Sequence, residues 1–465
     1  MSGVLRGHGA TVLVAALAAA FGVGLLGATE VILLASEVGP LGAIDDIRLV
    51  LGIIAMAFTA IAIYVAAIVT TNTVSTIVVG RIRQIALVRL LGGTAARQRR
   101  RIAAEGLTAG ALGAGLGMLA AWALVGALVL VGVATGNLPE RDYPYLVASM
   151  AVPVLAVVLS TWLAARVGSR RVLAVAPIQA LVAAVPADED EIRGRRARIV
   201  WALVLGITGV LLLALAVVLG QLTPFALLIG ILGGAVSFTG FMLGAVRVVP
   251  GVLAVVGRLL GSGPAALLGS RNALRHRERS TRAAMGLVIG VALVTMLVIA
   301  WTTVRRIALD QALASWGEDG AAEFDAALGP ILAVVATLVG YSAIIAAVGL
   351  VSTLTVGVLQ RTREFGMVRA LGLSRGQLRR SITVEAVQLA VTAVLIGVVL
   401  GVAYGWVGAQ AVGGSQQVAG MVPPQVPWWL LVGVAVIAGI LALAGSRIPA
   451  RRALRISPVE AIAVE

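Results

Sequence analysis

The chain has 465 residues, 60% of them hydrophobic and only 12% charged, with a net charge of +15. Its basic residues are all arginine, and it contains neither lysine nor cysteine. That excludes disulfides, thiolate metal sites and cysteine nucleophiles, as well as a standard P-loop, whose lysine reaches the nucleotide phosphates.

Apolar windows of about 20 residues, long enough to cross a bilayer, recur along the chain and predict an all-α polytopic membrane protein. Ten spans are expected, near 10–35, 48–79, 102–134, 145–166, 199–220, 225–247, 283–303, 328–359, 382–412 and 427–446. The second and eighth exceed the bilayer's need, so they tilt or continue into the cytoplasm. The first apolar segment is too long for a cleavable signal peptide and lacks a small-residue cleavage site.

Arginine distribution orients these spans. With the N-terminus inside, the inner segments carry 32 arginines, and the outer ones hold only Arg48, Arg141, Arg305 and Arg306. Basic residues accumulate on the cytoplasmic side, so both termini are expected there, and topology explains the positive charge better than nucleic acid does. The outer segments are acidic, with Glu37, Asp45, Asp46, Glu140, Asp142, Asp310, Glu318, Asp319, Glu323 and Asp325. This is the complement of arginine exclusion. Glu30 is the one acid inside a span, near the outer end of the first, where it reaches water and makes a candidate outer-face site.

The chain is internally duplicated. RIRQIALVRLLGGTAARQRRR at 81–101 aligns without a gap with RTREFGMVRALGLSRGQLRRS at 361–381, an offset of 280. RVGSRRVLAVAPIQAL at 166–181 matches the closing RIPARRALRISPVEAI at 447–462, at an offset of 281. Spans one to four and seven to ten are therefore expected to be two copies of one four-helix module. They form a 4 + 2 + 4 arrangement with parallel repeats and pseudo-two-fold symmetry about the membrane normal. The division is 1–185 for the first module, 186–264 for a linker and two connector spans, and 265–465 for the second module. The polar stretch PADEDEIRGRRAR at 186–198 reads as a surface linker. In the third span of each copy, Gly113 and Gly117, and Gly397 and Gly401, have the small-xxx-small spacing that lets helix backbones approach in lipid.

Residues 361–372 predict a short amphipathic helix, with Phe365, Val368 and Leu371 on one face and Gly372 suited to its C-terminal turn. Ile85, Val88, Leu91 and Gly92 repeat that arrangement. Topology explains the arginines alone, but a shared docking surface also explains the repeated apolar spacing.

The segment RTREFGMVRALGLSRGQLRRSITVEA, a following Gly-rich helix and the terminal PARRALRISPVEAI together resemble the FtsX-like (MacB-like) permease module of ABC transporters. The resemblance covers both modules. It implies a coupling helix after the second span of each module, docked on a separate cytoplasmic ATPase present in two copies. The positions that correspond are Arg363, Glu364, Arg369, Leu371 and Gly372, with Arg83, Arg89, Leu91 and Gly92 in the first copy. Glu105 and Glu385, at the starts of the following helices, also match the pattern; a carboxylate near a helix N-terminus is favourable in any case. The first copy departs from the second, with Gln84 for Glu364, Leu90 for Ala370, Gly168 for Pro449 and Gln179 for Glu460, so the two docking sites are expected to be unequal. The large extracytoplasmic domain of many family members is reduced here to 36–47 and 304–327, which suggests an accessory lipoprotein or membrane subunit.

No chemistry of its own is expected of this chain. Its two histidines, His8 and His276, lie in basic cytoplasmic segments, no H-E-x-x-H is present, and no acidic pair lies deep in a span. The resemblance assigns ATP and Mg to the partner ATPase, with no cofactor or metal held by this chain. It places the protein in a bacterial cytoplasmic membrane, surrounded by lipid, moving or extracting an amphipathic substrate (lipid, lipoprotein or antimicrobial peptide) or transmitting force. Two other readings stay open: an ion-coupled secondary transporter, and a membrane scaffold or sensor that transports nothing.

Overall fold

The structure is a computed structural model that describes residues 2–36, 93–135, 150–169, 189–223, 225–259, 263–275, 277–328, 374–414 and 421–455, with isolated positions between 56 and 71 and at 139, 140, 143 and 340. Among the described residues regular structure is helical throughout. In chain order the helices are α1 (Ser2–Ser36), α2 (Ala95–Ala134), α3 (Ala151–Gly168), α4 (Glu189–Gly220), α5 (Ala226–Leu259), α6 (Pro264–Arg275), α7 (Arg277–Ala327), α8 (Arg375–Gly413) and α9 (Trp428–Arg455). Six of them are long and apolar enough to cross a membrane, and α1 and α9 carry shorter apolar runs at Thr11–Gly24 and Trp428–Ile440. The protein is thus a multi-pass membrane protein. The predicted second and eighth spans lie outside the described residues apart from isolated positions.

Several boundaries differ from those expected. α2 and α8 each begin seven residues before the predicted third and ninth spans. A hydropathy window stops at the arginines of 97–101 and 379–380, whereas the backbone keeps its helical bonds through them. Most of the expected linker at 186–198 is likewise helical, since α4 starts at Glu189. α5 runs twelve residues past the predicted end of the sixth span, to Leu259.

The largest difference lies at 304–327, expected as an outer loop. There the helix of α7 continues, breaks at Gly317 (φ 74°, ψ −171°) and resumes, so the segment is two helical arms joined at one residue. The left-handed φ at Gly317 is a conformation that a Cβ disfavours. Arg305 joins the arms by donating to Asp325 through Nε (2.8 Å) and Nη2 (2.6 Å). Trp316 packs on Phe324 with ring centroids 5.7 Å apart.

Helix pairs form around small residues. α2 lies on α1, and a Cβ placed on Gly113 would stand 2.5 Å from the Val12 carbonyl oxygen and 2.7 Å from the Ala15 Cβ. α8 lies on α7 in the same way: a Cβ on Gly401 would meet the Thr295 Cβ at 2.5 Å and the Ala292 oxygen at 2.7 Å. Gly117 and Gly397 sit at the same kind of crossing, and Gly405 extends the second seam one turn further. The connectors α4 and α5 pair through Gly240, whose added Cβ would lie 2.5 Å from the Gly206 nitrogen.

Burial then grades across the molecule. The apolar part of α7 is almost wholly covered by other helices. Its Leu287, Leu297 and Ile299 share a core with Leu253 of α5, Leu389 of α8 and Leu430 of α9. α4 instead turns Trp201, Leu203, Ile207 and Leu211 outward. Such a surface would aggregate in water but matches hydrocarbon.

Gly401→Val is expected to destabilise the detergent-solubilised protein by about 1–3 kcal/mol, the cost of overpacking a tight contact. Gly115→Ala, where an added Cβ meets nothing within 4 Å, should leave stability unchanged or raise it. Fluorescence-detected size-exclusion chromatography after graded heating separates the two outcomes.

Candidate functional site

The repeated loop is the candidate site, and its proposed contact residues lie outside the described residues: Arg83, Arg89, Leu91 and Gly92 in one copy, Arg363, Glu364, Phe365, Arg369, Leu371 and Gly372 in the other. What the structure describes is how each loop hands over to the helix that follows it. Thr94 and Ser374, equivalent at offset 280, are both N-caps with extended backbone (ψ 144° and 156°). Thr94 Oγ1 accepts from the Arg97 N–H at 3.3 Å. Ser374 makes a full capping box: its Oγ accepts from Gln377 N–H (3.2 Å), and its own N–H donates to Gln377 Oε1 (3.0 Å). Each loop therefore ends at a fixed point on a helix of 40 or 39 residues, about 60 Å long and longer than the bilayer.

These helix starts are unusual electrostatically. A helix N-terminus is the positive end of the backbone dipole, and a cation there is unfavourable by about 0.3–1 kcal/mol. Yet Arg97 lies in the first turn of α2 and Arg375 is the first residue of α8, with Arg100, Arg101, Arg379 and Arg380 exposed in the turn that follows. Anions nearby, whether headgroup phosphates or a partner's carboxylates, would offset that cost. Within α2, Arg101 Nε donates to Glu105 Oε1 at 3.1 Å.

The following glutamate is bonded in both copies. Glu105 pairs with Arg101 of its own helix, and Glu385 Oε2 accepts from Asn272 Nδ2 of α6 at 2.9 Å. α6 lies across the start of α8, where a Cβ on Gly269 would stand 2.6 Å from the Ser381 oxygen. Its far end is tied to α7 by Ser280 Oγ donating to the Ala273 carbonyl at 2.6 Å. One turn beyond Glu385, the fully buried Gln388 donates from Nε2 to the Leu253 carbonyl of α5 at 2.7 Å. The start of α8 is thus clamped by α5, α6 and α7 together.

At its other end α8 holds the segment MVPPQVP, 421–427. Trp406 Nε1 (2.9 Å) and Gln410 Nε2 (2.8 Å) both donate to the Val422 carbonyl. Thr302 Oγ1 of α7 donates to the Gln425 carbonyl (2.8 Å), and the Gln425 N–H donates to Thr303 Oγ1 (3.1 Å). A displacement at the capped end of α8 has a continuous helix and a bonded strap to act on. Glu30 sits half-buried on α1, remote in sequence from these contacts.

Gln388, Gln410 and the strap were not singled out from the sequence. An isolated glutamine in an apolar run is a signal that was there to use, because a buried amide requires partners. Gln388 takes its partner from a helix 135 residues away, whereas Gln410 takes Val422, only 12 residues on, once the strap folds back over α8.

Ser374→Ala should weaken the start of α8 by about 1 kcal/mol. Hydrogen exchange should then speed up at Gln377 and Leu378, with Ser374→Asp restoring protection. Equal exchange in the Ala variant and wild type would discount the cap.

Comparison with known proteins bears on this arrangement. The chain is similar to the ABC transporter permease YknZ of Bacillus subtilis, 29% identical over 147 residues, covering 31% of this chain and 35% of that protein. It is similar to the macrolide export ATP-binding/permease protein MacB of Sodalis glossinidius, 32% identical over 122 residues, covering 26% of this chain and 18% of that one. A third relative, the ABC transporter permease YtrF of Bacillus subtilis, is 28% identical over 127 residues, covering 26% of this chain and 29% of that protein. The matched stretch spans about a third or less of each of these relatives. The model of the FtsX-like permease C-terminal domain matches twice, over 56–173 and 323–458, each match containing one copy of the repeated loop and the capped helix behind it. Those two matches together take in more than half of the chain, and the protein belongs to the FtsX-like permease family.

Proposed function

We propose that this chain is the transmembrane subunit of an ABC transporter, a single-chain pseudodimer of ten spans acting on two copies of a separate cytoplasmic ATPase. The observation that carries this reading is the repeated hand-over at Thr94 and Ser374. Two equivalent loops each end in a capped helix longer than the bilayer, and each helix packs on the first span of its own module through glycine. A two-fold ATPase needs two such handles.

Each loop is a coupling helix, with Leu91 and Leu371 on the docking face and the arginines around them meeting acidic groups of the ATPase. ATP and Mg belong to that partner. Closure of the ATPase dimer moves the loops, and the long helices carry the movement to the far side of the membrane. There the protein extracts or exports an amphipathic substrate, or transmits force to an accessory subunit. The α6 contact at Glu385 braces the helix behind the second docking site.

Co-purification with the ATPase encoded beside this chain tests the reading. Wild type should retain a stoichiometric ATPase, and the double variant Leu91→Asp, Leu371→Asp should lose it, with elution and melting otherwise unchanged. An ATPase held equally by both proteins would refute the docking assignment.

A further inference from the structure

Two of the five tyrosines, Tyr64 and Tyr404, meet the same turn of the connector helix α5. Tyr64, from the predicted second span, donates to the Ala235 carbonyl at 2.9 Å and bonds Thr239 Oγ1 at 2.7 Å. Tyr404 of α8 bonds Ser237 Oγ at 3.0 Å. Phe238 lies between the two sites, its ring edge-on to Tyr64 at 6.4 Å and 79°. Successive residues turn by about 100° around a helix axis, so Ser237 and Thr239 face flanks about 200° apart. The connector is gripped from two sides.

The depth of this grip matters. Ser237 stands eleven residues from Ala226, the end of α5. That is about 16 Å at 1.5 Å per residue, half the hydrocarbon thickness. Tyrosine ordinarily sits at the membrane interface with its hydroxyl in water. A hydroxyl at mid-depth must find a protein partner. Both do so, and both choose the connector rather than their own module.

We propose that α5 is a relay between the modules, with Tyr64 and Tyr404 as its positioning residues. Tyr64 belongs to the span that directly precedes the first coupling loop. Movement of that span shifts the Tyr64 hydroxyl against Ala235 and Thr239. α5 is stiffened by its close seam with α4, and it passes the shift through Ser237 to Tyr404 of α8. The two halves then change state together although their loops are 280 residues apart. The relay's part in an ATP-driven cycle rests on the function proposed above.

The test uses the full chain in nanodiscs, labelled with 3-fluorotyrosine and followed by 19F NMR. Phe variants assign each resonance. Tyr64→Phe should move the Tyr404 resonance, and Tyr404→Phe the Tyr64 resonance. Thr239→Val and Ser237→Ala should do the same with both tyrosines kept, and they serve if a Phe variant folds poorly. Ser160→Ala, which removes a hydroxyl bonded within α3 at 3.0 Å, should move neither. If each tyrosine ignores the loss of the other, no relay exists. In the complex with the ATPase, Tyr64→Phe and Tyr404→Phe should each change ATP turnover about three- to five-fold at unchanged stoichiometry, the effect of one hydrogen bond of this class. Unchanged turnover in both overturns the relay's role in the cycle. Absence of any bound ATPase from wild type instead overturns the transporter reading, while the resonances still decide the relay.

Discussion

A helix in hydrocarbon gains nothing by hiding apolar surface, since lipid is as apolar as leucine. What holds two helices together there is close contact and hydrogen bonding. Everything described in this protein follows from that constraint. α1 reaches α2, and α7 reaches α8, only because glycines leave no Cβ between the backbones. The same device joins the connectors α4 and α5. Leucine and valine at those positions would satisfy lipid equally well and would abolish the contact.

The second consequence concerns polar groups. In water an extra hydroxyl or amide is readily solvated; inside a membrane protein it gains by bonding to protein, and where the bond crosses to another helix it becomes a joint. Gln388 ties α8 to α5, Tyr404 ties the same two helices one layer away, and Tyr64 reaches α5 from the first module. Trp406, Gln410, Thr302 and Thr303 fasten the strap at 421–427. Packing through glycine permits sliding, whereas these bonds select a register.

Charge works differently at the two faces. The exposed pairs, Arg101 with Glu105, Arg306 with Asp310 and Arg305 with Asp325, are partly solvated and contribute little stability individually. The bidentate Arg305–Asp325 pair matters more for geometry, because it closes two helical arms around Gly317. At the loop-bearing face the arginines sit at helix N-termini, where the backbone dipole opposes them. Membrane orientation accounts for arginine on that side, and an anionic neighbour would offset the cost at Arg97 and Arg375, the two that stand in a first turn.

The membrane class, the duplication and the glycine seams were legible in the sequence because each leaves a local periodic trace: apolar run length, repeat offset, four-residue spacing. Gly113, Gly117, Gly397 and Gly401 could be picked out from spacing alone. The early starts of α2 and α8 were less visible, since hydropathy measures lipid compatibility and a charged helical turn scores as loop. The helical arms at 304–327 were hidden for the same reason. The clamp on Glu385, the strap and the two tyrosines on α5 could be decided only by tertiary structure. A residue's own type states that it needs a partner. Which partner it finds is set by how the helices cross, over 113 to 171 residues for Glu385, Gln388 and the two tyrosines, and by how the strap folds back on α8, and no local pattern encodes that.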